Sequence, residues 1–145
     1  FELVPKVNVP VVVGERVYIG KEPEKRDKIA HVKRRVSYEE LTSAAHSEMP
    51  FVIADIAKQN EARYVKFFND AQAITTRFHM LELIPGLGKK TMWAIIEERK
   101  KGVFTTYEDL IKRVPALKHP DKLVAKRIED ELSDPSQKYR IFVSR

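Results

Sequence analysis

The sequence contains no cysteine. That absence excludes a disulfide framework, a thiolate zinc site and a cysteine-held iron–sulfur cluster. No apolar run approaches the roughly 18 residues that a membrane-spanning helix needs. The four histidines, His31, His46, His79 and His119, are scattered without a His-x-x-x-His spacing, so no metal site is expected. Neither a nucleophile elbow nor a Walker-type phosphate loop occurs. The carboxylate pairs Glu39/Glu40 and Glu97/Glu98 are adjacent on helical segments and point apart, unlike converging acid and base groups. The opening at Phe1 lacks both Met and a signal-peptide layout, which leads us to expect that a preceding stretch has been removed. Together these absences set the expectations of a cytoplasmic protein with no cofactor, no metal and no membrane partner.

What is present is enough for one domain or two very small ones. A chain of 145 residues buries roughly 68–70% of its unfolded surface on folding. Its formal charge of +6 is unevenly placed. Residues 1–70 carry 12 basic against 11 acidic side chains, whereas residues 71–145 carry 15 against 10. An excess confined to one half points to a surface that faces a polyanion.

The opening residues Val9, Val11, Val12, Val13, Val17, Tyr18 and Ile19 are β-branched or aromatic, and Gly14 and Gly20 punctuate them, which predicts β structure. Ile29, Val32 and Val36 predict a second strand over 29–36, joined by a long charged connection. Its run Lys33, Arg34, Arg35 reads as a solvated edge that discourages aggregation. Ser37 followed by Glu39 and Glu40 predicts a helix start. One or two helices over 48–69, broken near Gln59 and Asn60, follow from Val52, Ile53, Ile56, Tyr64, Val65 and Phe68. Ile74, Phe78 and Leu81 stand at i, i+4, i+7, the stripe of a helix ending at Pro85.

Met92, Ile95, Ile96 and Arg99 predict a helix over 89–101 with Gly102 as its αL cap. Thr105 or Thr106 caps a short helix through Leu110 and Ile111, stopped by Pro115. Val124, Ile128 and Leu132 mark a last helix ended by Ser133, Asp134 and Pro135. Tyr139, Ile141 and Val143 alternate as a strand would, and are expected to return to the N-terminal sheet. Trp93, Phe67 and Phe68 lie mid-helix and are expected in the core, with His79 a satisfied residue of the core or its boundary. The expected division is a small β-containing half over 1–69, a helical half over 70–135 and a returning strand over 136–145.

Between two of these predicted helices lies Ile84, Pro85, Gly86, Leu87, Gly88, Lys89, Lys90, followed by Thr91. Glycines let a phosphate approach the backbone, and the first amides of the next helix have no internal partner. The helix dipole and the two lysines add positive potential. Such contacts read backbone rather than base sequence. This stretch, with Ala94, Ile95, Ile96 and Arg99 after it, resembles a helix-hairpin-helix module over 74–132, similar to the DNA-binding part of bacterial competence proteins. The resemblance implies phosphate contacts by Gly86, Leu87, Gly88, Lys89, Lys90 and Thr91.

Val114, Pro115, Ala116, Leu117 echoes Ile84, Pro85, Gly86, Leu87, and Ile111 echoes Leu81, so the module reads as a tandem pair. Lacking paired glycines, the second copy is expected to support the first, with Lys118, Lys122, Lys126 and Arg127 as an outer basic patch. The whole chain resembles a small archaeal family of unknown function that pairs an OB-like β half with helix-hairpin-helix repeats. The implied fold is α+β, its helical half a SAM-domain-like bundle. The implied activity is non-enzymatic binding of duplex or single-stranded DNA or structured RNA. A protein-interaction scaffold is the alternative, told apart by weak salt dependence. A DNA glycosylase or lyase is a third reading, since Lys90 stands where that superfamily places its Schiff-base lysine and Glu108 near its carboxylate.

Overall fold

The computed structural model describes residues 1–144. The chain is a mixed α+β protein, with five α-helices and two small antiparallel sheets among the described residues. It divides into two units, Phe1–Met49 and Pro50–Arg145.

In the first unit, β1 (Glu2–Pro5) pairs with β2 (Ile29–Arg34), with Leu3 opposite Val32 and Val4 opposite His31. This is the expected second strand and its long connection, but the first strand lies earlier than the valine run predicts. Residues 9–19 form no strand, and Val12 and Val13 are 67% and 73% exposed. Asn8 and Gly14 turn the backbone at φ 61° and 82°, and Pro10 has no N–H to offer a ladder. β-Propensity without a partner strand does not make a sheet. An OB-like barrel closes about five strands, whereas this unit holds β1 and β2 among the described residues.

The helix expected to start at Ser37 is also displaced. Glu40 turns back to accept the Ser37 N–H at 2.7 Å, closing a turn, and the helix begins only at Ser43, after Thr42, whose Oγ1 accepts from Ala45 N–H at 3.2 Å. That helix, α1 (Ser43–Gln59), contains Pro50. The division between the two units falls at that same peptide.

The second unit begins with the remainder of α1 and with α2 (Glu61–Asp70), separated at Asn60 as expected. The helix predicted through Ile74 and Phe78 is absent. Instead β3 (Ala73–Thr75) and β4 (Phe78–His79) make a minimal hairpin, Ala73 opposite His79. The β-branched run Ile74, Thr75, Thr76 favours extension, and Thr75 Oγ1 accepts from Arg77 N–H at 3.2 Å to set the turn. Only the single 3-10 turn Met80–Leu83 follows it.

Next come α3 (Lys89–Lys100), α4 (Tyr107–Arg113) and α5 (Pro120–Ser133). Gly102 follows α3 at φ 154°, a positive angle but not the αL cap expected. Thr106 caps α4 by accepting from Asp109 N–H at 3.0 Å, and Asp109 accepts in return from Thr105 N–H at 3.0 Å. The second unit's core gathers Ile53, Ala57, Tyr64, Phe68, Leu81, Ile84, Ile95, Leu110, Val114, Leu117 and Val124, all at most 3% exposed. Polar bonds tie its helices together. Arg99 Nη1 caps α2 through the carbonyls of Ala71 at 2.7 Å and Phe68 at 3.2 Å, and Asn69 exchanges two hydrogen bonds with the Phe104 backbone. Arg113 does the same for α3, donating to the carbonyls of Glu98 and Gly102 while lying 4.3 Å over the Phe104 ring.

The expected C-terminal strand does not form. Residues 139–143 fold against α5 in the second unit and do not join the N-terminal sheet. The fully buried Glu131 carboxylate accepts the N–H groups of Ile141 (2.7 Å), Phe142 (3.1 Å) and Val143 (2.8 Å), and Phe142 stands edge-on to Tyr64. Backbone donors that would have sought a ladder are taken by one side chain.

Candidate nucleic-acid interface

The glycine-punctuated segment forms a tight turn into α3. Leu87 N–H donates to Ile84 O at 3.2 Å, Pro85 fills the second position and Gly86 the third at φ 80°. This is a type II turn, which requires a residue tolerant of positive φ at the third position. Ile84 and Leu87 are buried and anchor it, while Gly86 between them and Gly88 after them are exposed.

Gly88 is the N-cap of α3 and brings no side chain to its amides. The first bond of the helix runs from Met92 N–H to Gly88 O at 2.9 Å, so the N–H groups of Lys89, Lys90 and Thr91 precede it. A Cβ at Gly88 would meet nothing within 4 Å, and its φ of −80° suits any residue. Neither the backbone nor the packing therefore demands glycine there. Lys89 and Lys90 are exposed beside it. The Lys89 ammonium stands 4.0 Å from Glu82, and Lys90 makes no ion pair among the described residues.

The turn is held from both sides. Before it, His79 Nδ1 accepts from Leu81 N–H at 3.0 Å while Glu82 accepts from His79 N–H at 2.8 Å, a capping box around the 3-10 turn. Burial, followed by the neighbouring Arg99 charge, lowers the His79 pKa below its ordinary value, against the pull of Glu82. Of the two positions expected for this histidine, core or boundary, it takes the boundary, half-buried and accepting through Nδ1. Behind the turn, Arg127 Nη1 donates to Leu83 O at 3.2 Å, its Nη2 donates to Tyr139 O, and its Nε donates to Glu131 at 2.9 Å.

That placement removes Arg127 from the outer patch. Arg127 is 5% exposed and Glu131 fully buried, both within the stripe Val124, Arg127, Ile128, Glu131 at i, i+3, i+4, i+7. A charged pair at i, i+4 inside a core stripe is the signal that would have found it. Lys118, Lys122 and Lys126 are exposed, with Lys126 3.1 Å from Asp130. Trp93, expected in the core, is 58% exposed on α3, whereas Phe68 is fully buried. The echo of Leu81 by Ile111 fails as well, because Leu110 is buried and Ile111 is not.

Lys90 and Glu108, the residues of the lyase reading, are both exposed. Among the described residues no three His, Asp or Glu side chains gather to hold a metal, and no helix is long and apolar enough to cross a membrane.

Fold and turn together define a small α+β protein whose second unit presents a cationic, glycine-lined helix start. The chain belongs to the family described as "Protein of unknown function (DUF655)", whose model matches residues 1–144. It is 50% identical over 143 residues to the uncharacterized protein MJ0038 of Methanocaldococcus jannaschii, covering 98% of this chain and 64% of that protein. The chain thus spans about two thirds, 64%, of the length of that curated relative. The crystal structure of Af1531 from Archaeoglobus fulgidus, described as a DUF655 member, superposes with a TM-score of 0.88 at 48% identity, covering 98% of this chain and 78% of that one. Both relatives come from archaea, in keeping with the archaeal family that the sequence resembles.

Proposed function

We propose that the chain is a non-enzymatic, largely sequence-independent nucleic-acid-binding protein, acting through a turn of the helix-hairpin-helix kind. In this reading Gly86 sets the turn, and the N–H groups following Gly88 take a backbone phosphate. Lys89 and Lys90 supply charge beside it. The Val114–Leu117 turn is the second, structural member of a tandem pair, completing a SAM-domain-like bundle. Duplex or single-stranded DNA and structured RNA are the ligands it accounts for.

One observation carries the reading: Gly88 is a bare N-cap facing open space where the protein itself would tolerate a side chain. A glycine that the fold does not require makes sense where a ligand must come close to the backbone. The test is fluorescence anisotropy with labelled DNA and RNA at several salt concentrations. Gly88→Leu should abolish binding with an unchanged melting temperature. Converting both Lys89 and Lys90 to Gln should lower the salt slope on duplex DNA by about two, at roughly 0.9 per phosphate contact. Parent-like affinity in Gly88→Leu, or a parent-like slope in the double variant, overturns the reading.

A further inference from the structure

We propose that Trp93 is a stacking platform for an unpaired nucleobase, so that the turn prefers single-stranded or locally unpaired nucleic acid over duplex. The inference rests on the phosphate reading of the same turn and adds a base to it. Trp93 is 58% exposed on an ordered helix, and no hydrogen bond, ring contact or cation contact engages its indole among the described residues. It stands four residues after Lys89 and three after Lys90, the spacings that put side chains on one helix face. Side chains on a helix lean toward its N-terminus, which brings the indole over the turn that carries the two lysines. One turn further on, Glu97 is ion-paired with Lys100 at 2.7 Å. Lys89 has Glu82 at 4.0 Å, so the uncompensated charge nearest the indole is that of Lys90, which makes no ion pair among the described residues and lies on its N-terminal side.

This charge distribution selects the occupant. A purely apolar partner would leave Lys90 without counter-charge, whereas a nucleotide supplies an anion and a flat π-surface together. Three to four helical residues rise about 4.5–6 Å, a span comparable to that from a phosphate to its own base. In a duplex the base faces are covered by their neighbours, and a side chain beside the backbone cannot stack on them. An unpaired base can turn onto the indole, and such stacking tolerates any base identity.

The sequence has a single tryptophan, so indole emission, excited at the red edge where tyrosine does not absorb, reports this site alone. Titration with a 12-nucleotide oligothymidylate should quench that emission, and a 12-base-pair duplex should quench it much less. Trp93→Ala should weaken oligothymidylate binding about 5- to 150-fold, from stacking of one base, with less than about a twofold change for the duplex. Trp93→Phe should recover part of the loss. Lys89→Gln with Lys90→Gln should weaken both ligands, which separates the phosphate contribution from the base contribution. Oligothymidylate binding without quenching, or unaffected by Trp93→Ala, overturns the stacking proposal and leaves the phosphate reading standing. Failure to bind either nucleic acid overturns both. An emission shift that depends on protein concentration alone would assign the indole to self-association and also overturn it.

Discussion

The two proline-containing turns of the second unit begin alike and end differently. In each, the fourth residue donates to the first, Leu87 to Ile84 at 3.2 Å and Leu117 to Val114 at 3.0 Å, and the same apolar pair is buried. The third position separates them. Gly86 takes φ 80°, whereas Ala116 remains at negative φ, as in a type I turn. The first turn then reaches its helix through one exposed glycine. The second adds Lys118 and His119 and starts α5 at Pro120, which has no N–H to present. A core anchor can thus be repeated while the exposed glycine-lined helix start is not. The repeat is read from its buried residues, and the proposed ligand chemistry from the exposed residues beside them.

Perturbing each turn separately should sharpen that contrast. The largest effect belongs behind the turns: Arg127→Ala leaves the buried Glu131 carboxylate without its charge partner and should cost about 3–5 kcal/mol. Denaturant unfolding checks this, and a cost under about 0.5 kcal/mol, typical of surface positions, would return Arg127 to the solvent-facing patch. Ile128→Ala, under the same bundle, should cost about 2–5 kcal/mol from lost burial and a residual cavity.

Exchanging the third residues tests the turn types directly. Gly86→Ala forces a Cβ into left-handed backbone and should cost roughly 1–2 kcal/mol, whereas Ala116→Gly should cost about 0.4–1 kcal/mol, through unfolded-state entropy. Equal costs would erase the distinction drawn between the turns.

The element before the first turn is capped by a titratable group, and the one before the second by Thr106. Because folding lowers the His79 pKa, the unfolded chain binds the extra proton first as pH falls. His79 therefore contributes a stability that is present above the ordinary imidazole value of 6.5 and is lost as pH drops from there to the lowered folded value. His79→Asn, which keeps a capping acceptor without the titration, should flatten the melting temperature between pH 7 and 5. A slope identical to the parent's would place the proton elsewhere. The smallest effect is expected at Lys118→Gln, with stability changed by less than about 0.5 kcal/mol. Its salt slope should fall by less than the 0.9 of one phosphate contact.

The helices α2 to α5 were legible because their stripes and caps are local signals: Thr106, Pro120 and the break at Asn60 all appear where periodicity puts them. Residues 9–19 and 74–83 were not, because their patterns satisfy a strand or helix template while Pro10, Asn8 and the Thr75 turn decide otherwise. The turn into α3 was legible residue by residue, since its glycines and lysines are contiguous. Arg127 and Trp93 misled in opposite directions. One is a charge within a core stripe, the other an aromatic outside it, and a residue's type overrode its helical phase in both readings. Glu131 escaped notice although its phase relative to Val124 and Ile128 gave the same warning.

Glu131 also sets an order of events during synthesis. Its three backbone donors lie ten to twelve positions further along the chain, so α5 emerges from a ribosome before the groups that satisfy its buried carboxylate exist. Until residues 141–143 are out, closing the bundle would bury an ion lacking most of its partners. The second unit is therefore expected to remain open, and available to chaperones, until those residues have cleared the exit tunnel.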